Sequence, residues 1–487
     1  MNEDAVRGIP WTMMTFAVMK VVGAATTIVL ARLLAPSDFG LFAMATLGIA
    51  LLSIFNGNWL GATLIVRSDL DDRARGTVLT MLMLSGFVLA AALAAASPLC
   101  ALAFGEPRLE GILLVFAALL LFSGINWFYE MVVRRELLFR RRFVVQAART
   151  VTFSGVALTF GFLGAGVWSL VAAQIVSLLV NTVGLMIASP YRVRMAFDRS
   201  RALEIMRSSR GFLGQELAEF FQQNADYLSV GQILGATQLG YYSMAYRQAE
   251  LPYHAIADPV GTVTFPAFAR MRHEAKDVGP AYLTALRLVC LLTCPLGIIM
   301  SAGAAPFVVV LFGPHWLPMI APLTVLGLWA IARPLQVTIG RLLNSLEKAW
   351  LYGRISTIGL VPLGIAAATA ASLGGITAVG AVLLAYMTIL TVLLVRVVAR
   401  HAGVPVRAQW GVLWPMLLAS AISWVATRAT ADAIHDAAPV VWLGASVAAC
   451  LLTYCAALAV ADRDVLSLAL RQARRILPAR RVAVTAQ

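Results

Sequence analysis

Apolar runs long enough to cross a bilayer recur along almost the whole of this 487-residue chain, and they leave few folds open to it. A helix needs about 20 predominantly apolar residues to span the hydrocarbon core. Runs bounded by charge, Pro and Gly give fourteen spans: approximately 11–34, 40–66, 77–99, 111–133, 143–163, 166–188, 211–234, 240–268, 280–303, 320–344, 353–372, 376–399, 409–427 and 438–461. Hydrophobic residues make up 60% of the chain and charged residues 13%, against roughly 45–50% and 25% in soluble domains. A soluble fold of this length could not hide so much apolar surface, so lipid is its solvent. In lipid every backbone polar group must be satisfied internally, which predicts an all-α polytopic membrane protein. The run from Trp11 to Leu34 is longer than the roughly 7–15 residues of a signal-peptide core and carries Lys20, so it reads as a first span, not a cleavable leader. The spans 211–234 and 240–268 are the most polar of the set.

The net charge of +14 would suit a nucleic-acid binder. Its distribution says otherwise. With both termini on one side, the segments on that side hold 27 Lys and Arg, while the loops on the other hold only Arg108 and Arg428. This is the asymmetry of a membrane protein with cytoplasmic termini, and it accounts for the basic charge without nucleic acid. The run 134–142, RRELLFRRR, is therefore an orienting loop, with anionic lipid headgroups as its secondary partner. Cys100, Cys290, Cys294, Cys450 and Cys455 all fall in apolar runs without metal-ligand spacing, so they read as small packing residues. No cofactor, disulfide or metal is expected.

The chain also repeats itself. ARLLAPSDFGLFAMA at 31–45 aligns with GQILGATQLGYYSMA at 231–245, an offset of 200, matching Leu34 with Leu234, Gly40 with Gly240, Met44 with Met244 and Ala45 with Ala245. A weaker echo pairs Phe104-Gly105 with Phe312-Gly313. Two six-helix halves of equal topology follow, as parallel repeats with substrate between them. The expected organisation is an N-terminal lobe over 1–189, a basic cytoplasmic linker over 190–210 and a C-terminal lobe over 211–403. Two further helices over 404–465 and a basic tail over 466–487 complete it.

At these residues the sequence resembles the multidrug/oligosaccharidyl-lipid/polysaccharide exporter superfamily, and within it the polysaccharide transporter (Wzx-type flippase) family. The matching pieces are ARLLAPSDFGLFAMA, RRELLFRRRF, GAGVWSLVAAQ at 164–174, NADYLSVGQILGATQLGYYSMAYR at 224–247, VTFPAFARM at 263–271 and FGPHW at 312–316. Together they span roughly residues 8 to 400. The resemblance implies a V-shaped cavity between two lobes, alternating access, and undecaprenyl-diphosphate-linked oligosaccharide repeat units as substrate, for exopolysaccharide, capsule or O-antigen. It also implies the bacterial inner membrane, with polymerase and glycosyltransferase partners from the same pathway.

Ionisable groups inside a span cost about 2.5–3.5 kcal/mol on insertion scales and mark a cavity or pathway. The basic candidates are Lys20, Arg149, Arg247 and Arg333, because a diphosphate is a bulky anion whose oxygens a guanidinium fork can engage. Snorkelling to the headgroups is the competing role, strongest for Arg149, Arg287, Arg341 and Arg32. The acidic candidates are Glu216, Glu219, Asp226 and Glu130, for contact with sugar hydroxyls or a coupling H+ or Na+. Glu216 and Glu219 share a helix face at i, i+3, with Gln222, Gln223 and Asn224 beyond. Glu250 is expected to pair with Arg247 at i, i+3. Pro252, Pro259 and Pro266 recur at seven-residue intervals and should weaken the helix around them.

Three other function classes compete. A pathway glycosyltransferase, polymerase or ligase would need a large extramembrane loop, whereas the longest outside loop here is about 16 residues (304–319) and holds no acid pair, phosphate loop or Ser–His arrangement. The chain is therefore read as a transporter and not an enzyme. An ion-coupled multidrug (cation) antiporter of the same superfamily is the alternative, favoured by an acid-lined cavity in the first half, where this chain offers mainly Glu130. A membrane scaffold would leave the repeat and the intramembrane charges unexplained.

Overall fold

The computed structural model describes residues 19–56, 72–136, 138–191 and 194–461, apart from the side chains of 205, 207–213 and 215. The ends of the expected first and second spans and the basic tail at 466–487 lie outside the described residues. Within them the chain is helical throughout. The helices are α1 (19–33), α2 (Pro36–Asn56), α3 (Asp72–Phe104), α4 (Arg108–Arg135), α5 (Phe139–Phe162), α6 (Val167–Ala188) and α7 (Arg199–Ala249). They continue with α8 (Asp258–His273), α9 (Gly279–Ser301), α10 (Ala304–Leu311), α11 (Ile320–Ser345), α12 (Ala349–Ile358), α13 (Leu360–His401), α14 (Val406–Ala433) and α15 (Pro439–Ala461).

Each of the fourteen expected spans has a helical counterpart, and ten of the described helices are long and apolar enough to cross a membrane. Two expected span pairs run on as single bent helices. α7 turns at Gly235 (φ 81°) and α13 at Gly375 (φ 65°), backbone conformations that glycine adopts without a Cβ penalty. The polar span expected at 240–268 is broken: α7 ends at Ala249, and a π-helical turn at Tyr253–Ala257 leads into α8. The outside loop expected at 304–319 is ordered as α10 and a 3₁₀ turn at Pro314–Met319, with Trp316 fully buried. The outer faces are apolar and bare, as at Leu373, 89% exposed, which is what a lipid-facing helix presents.

The chain divides into two compact units, residues 1–244 with 357–379 and residues 245–356 with 380–487. In the first, α3 packs along α4, α5 along α6, and α2 across α4. Val78, Leu82, Phe128, Val132 and Leu185 are buried in its interior. Polar pairs tie these helices where no water competes: Asn181 Nδ2 donates to Asn126 Oδ1 at 2.7 Å, and Thr26 Oγ1 to Ser154 Oγ at 2.7 Å. In the second unit α9 packs on α11 and α14, and α14 on α15. Its interior gathers Tyr282, Cys290, Cys294, Leu342, Leu394, Met416, Cys450 and Tyr454.

The sequence repeat has a structural counterpart inside the first unit. A Cβ on Gly40 would collide with the Ala236 carbonyl oxygen, and a Cβ on Gly240 with the Pro36 carbonyl oxygen. Pro36 and Ala236 are themselves 200 residues apart, so the contact is reciprocal, residue for residue, as across a two-fold axis. Helices in lipid gain little from burying apolar surface and rely on such close backbone approach through small residues. Neither collision involves a movable side chain. Gly40→Ala and Gly240→Ala should therefore each destabilise the purified protein by about 1–3 kcal/mol or more, read as a lowered unfolding temperature in detergent. Gly111→Ala, which meets nothing within 4 Å, is the control and should not lower that temperature, since alanine without a clash favours the helix.

Candidate functional site

In the second unit a group of charged side chains lies where the helical backbone is irregular. Pro252 and Pro259 bracket the π-helical turn, and the amide of Asp258 bonds to the carbonyl of Tyr253, five residues back. Proline has no N–H to donate, so the regular ladder cannot run through this stretch. The wider turn re-aims the side chains that follow it, a common feature of functional segments. Glu250, Tyr253, His254 and Asp258 are all half-buried here.

Arg333, from the middle of α11, reaches this segment. Its guanidinium carbon lies 5.4 Å from the centroid of the Tyr253 ring and 5.6 Å from that of Trp329. Trp329 is fully buried and in turn packs on Tyr246, ring centroids 5.0 Å apart. Glu250, Tyr246, Tyr352 and Tyr253 act on Arg333 electrostatically. Among the described residues no carboxylate lies within 4 Å of its guanidinium, and its Nε is buried without a hydrogen bond. Two aromatic faces thus hold a cation without neutralising it. Two turns on, Arg341 is committed: its Nη2 lies 3.3 Å from Asp258 Oδ1, and Gly261 leaves the room its Nε occupies. Glu250 is paired with His254, Nε2 to Oε2 3.8 Å, and not with the Arg247 expected from spacing. The sequence named Arg333, but the aromatic cradle of Tyr253 and Trp329 went unread. The paired prolines were the available signal.

The other site residues are distributed. Lys20 is exposed in α1, and Arg247 is exposed in the last turn of α7. Glu219 is exposed and accepts from Gln223 Nε2 at 2.9 Å, while Glu216 is half-buried one turn earlier. Asp226 is buried and accepts a 2.7 Å hydrogen bond from the Tyr242 hydroxyl, joining the two limbs of α7 across Gly235. Glu130 is buried in the first unit, where one oxygen takes both Arg134 Nε at 2.9 Å and Arg142 Nε at 2.8 Å. Arg149, half-buried in α5, interacts electrostatically with the same carboxylate. The one clear acid of the first-half spans is thus spent on arginines.

Comparison with known proteins places this arrangement. The chain is 28% identical over 316 residues to the succinoglycan biosynthesis transport protein ExoT of Rhizobium meliloti, covering 64% of each chain. It is 26% identical to the teichuronic acid biosynthesis protein TuaB of Bacillus subtilis, covering 62% of this chain and 64% of that one. The match therefore spans just under two thirds of the length of these relatives. Among solved structures, the lipid II flippase MurJ in an inward closed conformation superposes with a TM-score of 0.75 at 13% identity, over 93% of this chain and all of that one. An inward-facing multidrug resistance MATE transporter of the MOP superfamily gives 0.58 at 18% identity, over 77% and 92%. The fold is thus that of MurJ and the MATE transporters. The family described as polysaccharide biosynthesis protein matches residues 29–321, more than half of the chain, and the protein belongs to that family.

Proposed function

We propose that this protein is a flippase that moves undecaprenyl-diphosphate-linked oligosaccharide repeat units across the bacterial inner membrane by alternating access. The observation that carries the reading is Arg333, an intramembrane cation held on aromatic faces with no carboxylate in salt-bridge range. Holding such a charge in a span is costly, and a substrate diphosphate is the partner that would repay it through charge-assisted hydrogen bonds. Transport proteins of succinoglycan and teichuronic acid biosynthesis among the relatives support a saccharide cargo, and the likeness to MurJ supports a fold that can flip lipids.

In this reading Arg333 and Arg247 engage the diphosphate, with Lys20 as a further cationic contact. Glu216 and Glu219 offer acceptors to sugar hydroxyls or to a coupling H+ or Na+. Glu130 and Arg149 stabilise the first unit's charge cluster, and Asp226 stabilises the bend of α7. The termini are cytoplasmic, and pathway polymerases and glycosyltransferases work alongside. No chemical step is required of the chain. The same fold serves multidrug antiport, but an acid-lined cavity in the first half would need Glu130, which two arginines occupy.

Complementation of a strain lacking the cognate flippase, with its full polymer gene set, tests the assignment. At matched membrane levels Arg333→Gln should lower surface polysaccharide by about 10-fold or more, the scale of losing hydrogen bonds to a charged group. Arg333→Lys should restore part of it, and wild-type output from Arg333→Gln would remove Arg333 from the substrate path. Coupling is tested separately in proteoliposomes. Collapse of the proton and sodium gradients should slow flipping of a diphosphate-linked saccharide, and the rate of a Glu216→Gln/Glu219→Gln variant should no longer respond to it. Unchanged wild-type rates would exclude ion coupling and leave mass action as the drive.

A further inference from the structure

A groove on the first unit is unrelated to the polar cluster. It has a volume of about 350 Å³ and is walled almost entirely by apolar groups: Met81, Leu84, Val88 and Leu89 of α3, and Phe197 and Met206 from the segment that leads into α7 and its first turns. Leu84, Val88 and Phe197 are all more than half exposed. The groove exists because the segment 194–198 is strapped to the start of α3. Gly76 lets the strap in, since a Cβ there would meet the Arg194 carbonyl oxygen at 2.6 Å. Thr80 Oγ1 donates to the Ala196 carbonyl at 2.9 Å, the Asp198 amide donates to Thr77 Oγ1 at 3.2 Å, and Arg75 stacks on Tyr191 at 4.4 Å. Asp198 then opens α7, accepting from the Ser200 hydroxyl and the Arg201 amide, which hold its carboxyl below the usual carboxylate range.

Position and charge define the occupant. α3 starts with Asp72, Arg73 and Arg75, a polar end, and turns apolar from Val78 onward. At about 1.5 Å per residue, Met81 and Leu89 lie roughly 9 and 21 Å past Arg75, the depth of hydrocarbon tails. At the polar end stand exposed Arg194 and Arg199 and half-buried Arg201, whose Nε lies 3.8 Å from Asp198 Oδ2. Arg201 immediately precedes the groove residue Ala202. Among the described residues this end carries Arg194, Arg199 and Arg201 against Asp198 and Glu204. An apolar slot that ends under an excess of arginine matches an amphiphile with a hydrocarbon tail and an anionic phosphate head.

We propose that this groove is a binding site for one acyl chain of an anionic membrane phospholipid, whose phosphate rests on Arg199 and Arg201. Such a lipid would fix the strap, and with it the start of α7, to the leaflet surface. The full-length protein, equilibrated in detergent with equimolar phosphatidylglycerol and phosphatidylcholine, is examined by native mass spectrometry for retained lipid. Phosphatidylglycerol should be retained in excess. Arg199→Gln and Arg201→Gln should cut that excess by about 5-fold per arginine. Val88→Trp, which fills the groove from an exposed position, should reduce retained phosphatidylglycerol, whereas Leu373→Trp on a bare lipid-facing surface should not. Equal retention of the two lipids by wild type would overturn the proposal, as would an undiminished excess in the arginine and Val88→Trp variants. Displacement of phosphatidylglycerol by an equal concentration of undecaprenyl phosphate would overturn it too, by giving the groove to the carrier lipid.

Discussion

The backbone contact of Gly40 and Gly240 sets the arrangement of the first unit. Two helix starts at equivalent positions of the two repeat copies meet there with no side chain between them, each glycine facing the carbonyl that precedes its partner by four residues. In lipid this is the available way to bring helices close, because apolar burial offers little difference between protein and tail. The neighbours confirm how tight the crossing is: Leu41, Ala236 and Leu239 are almost wholly buried. The positive φ at Gly235 lets α7 fold back immediately before the crossing, and the Asp226–Tyr242 hydrogen bond pins its two limbs. A buried carboxylate is costly unless it is hydrogen-bonded. Here it serves the bend that delivers Gly240 to Gly40.

Charge is handled differently in the two units. The first neutralises its buried acid twice over, with Arg134 and Arg142 on a single oxygen of Glu130. Removing one partner of such a pair is destabilising because it strands the other charge, which is a structural role. In the second unit Asp258 pairs with Arg341, Glu250 lies 3.8 Å from His254, and Arg333 rests on aromatic faces with Glu250 acting on it from beyond salt-bridge range. Aromatic contact holds a guanidinium in place and keeps its fork of donors for another anion.

Much of the fold was legible because membrane solvation acts residue by residue. Span length and the repeat are local or counting properties, and they predicted a chain of membrane-length helices before any contact was known. The repeat also named Gly40 and Gly240, but not that the two would touch each other. Pairings were less legible. Arg247 lies three residues before Glu250 on regular helix, yet Arg247 is exposed and Glu250 turns to His254, one turn further on. Glu130 likewise looked available to substrate, although Arg134 stands at i, i+4 from it; the second partner, Arg142, lies twelve residues away across the turn between α4 and α5.

The irregular backbone and the polar cluster belong together physically. Hydrocarbon tolerates broken helix only where freed backbone groups are covered by protein or face a polar space. A π-helical turn between two prolines therefore calls for polar company, which Arg333, Arg341, Glu250, His254 and Asp258 supply. Conversely, those charges could not sit in a lipid-facing stretch of regular helix without large cost. The prolines fix where the ladder breaks, and the break fixes where charge can be kept. Trp329 and Tyr253 then flank one of those charges, Arg333, which has no described carboxylate within 4 Å.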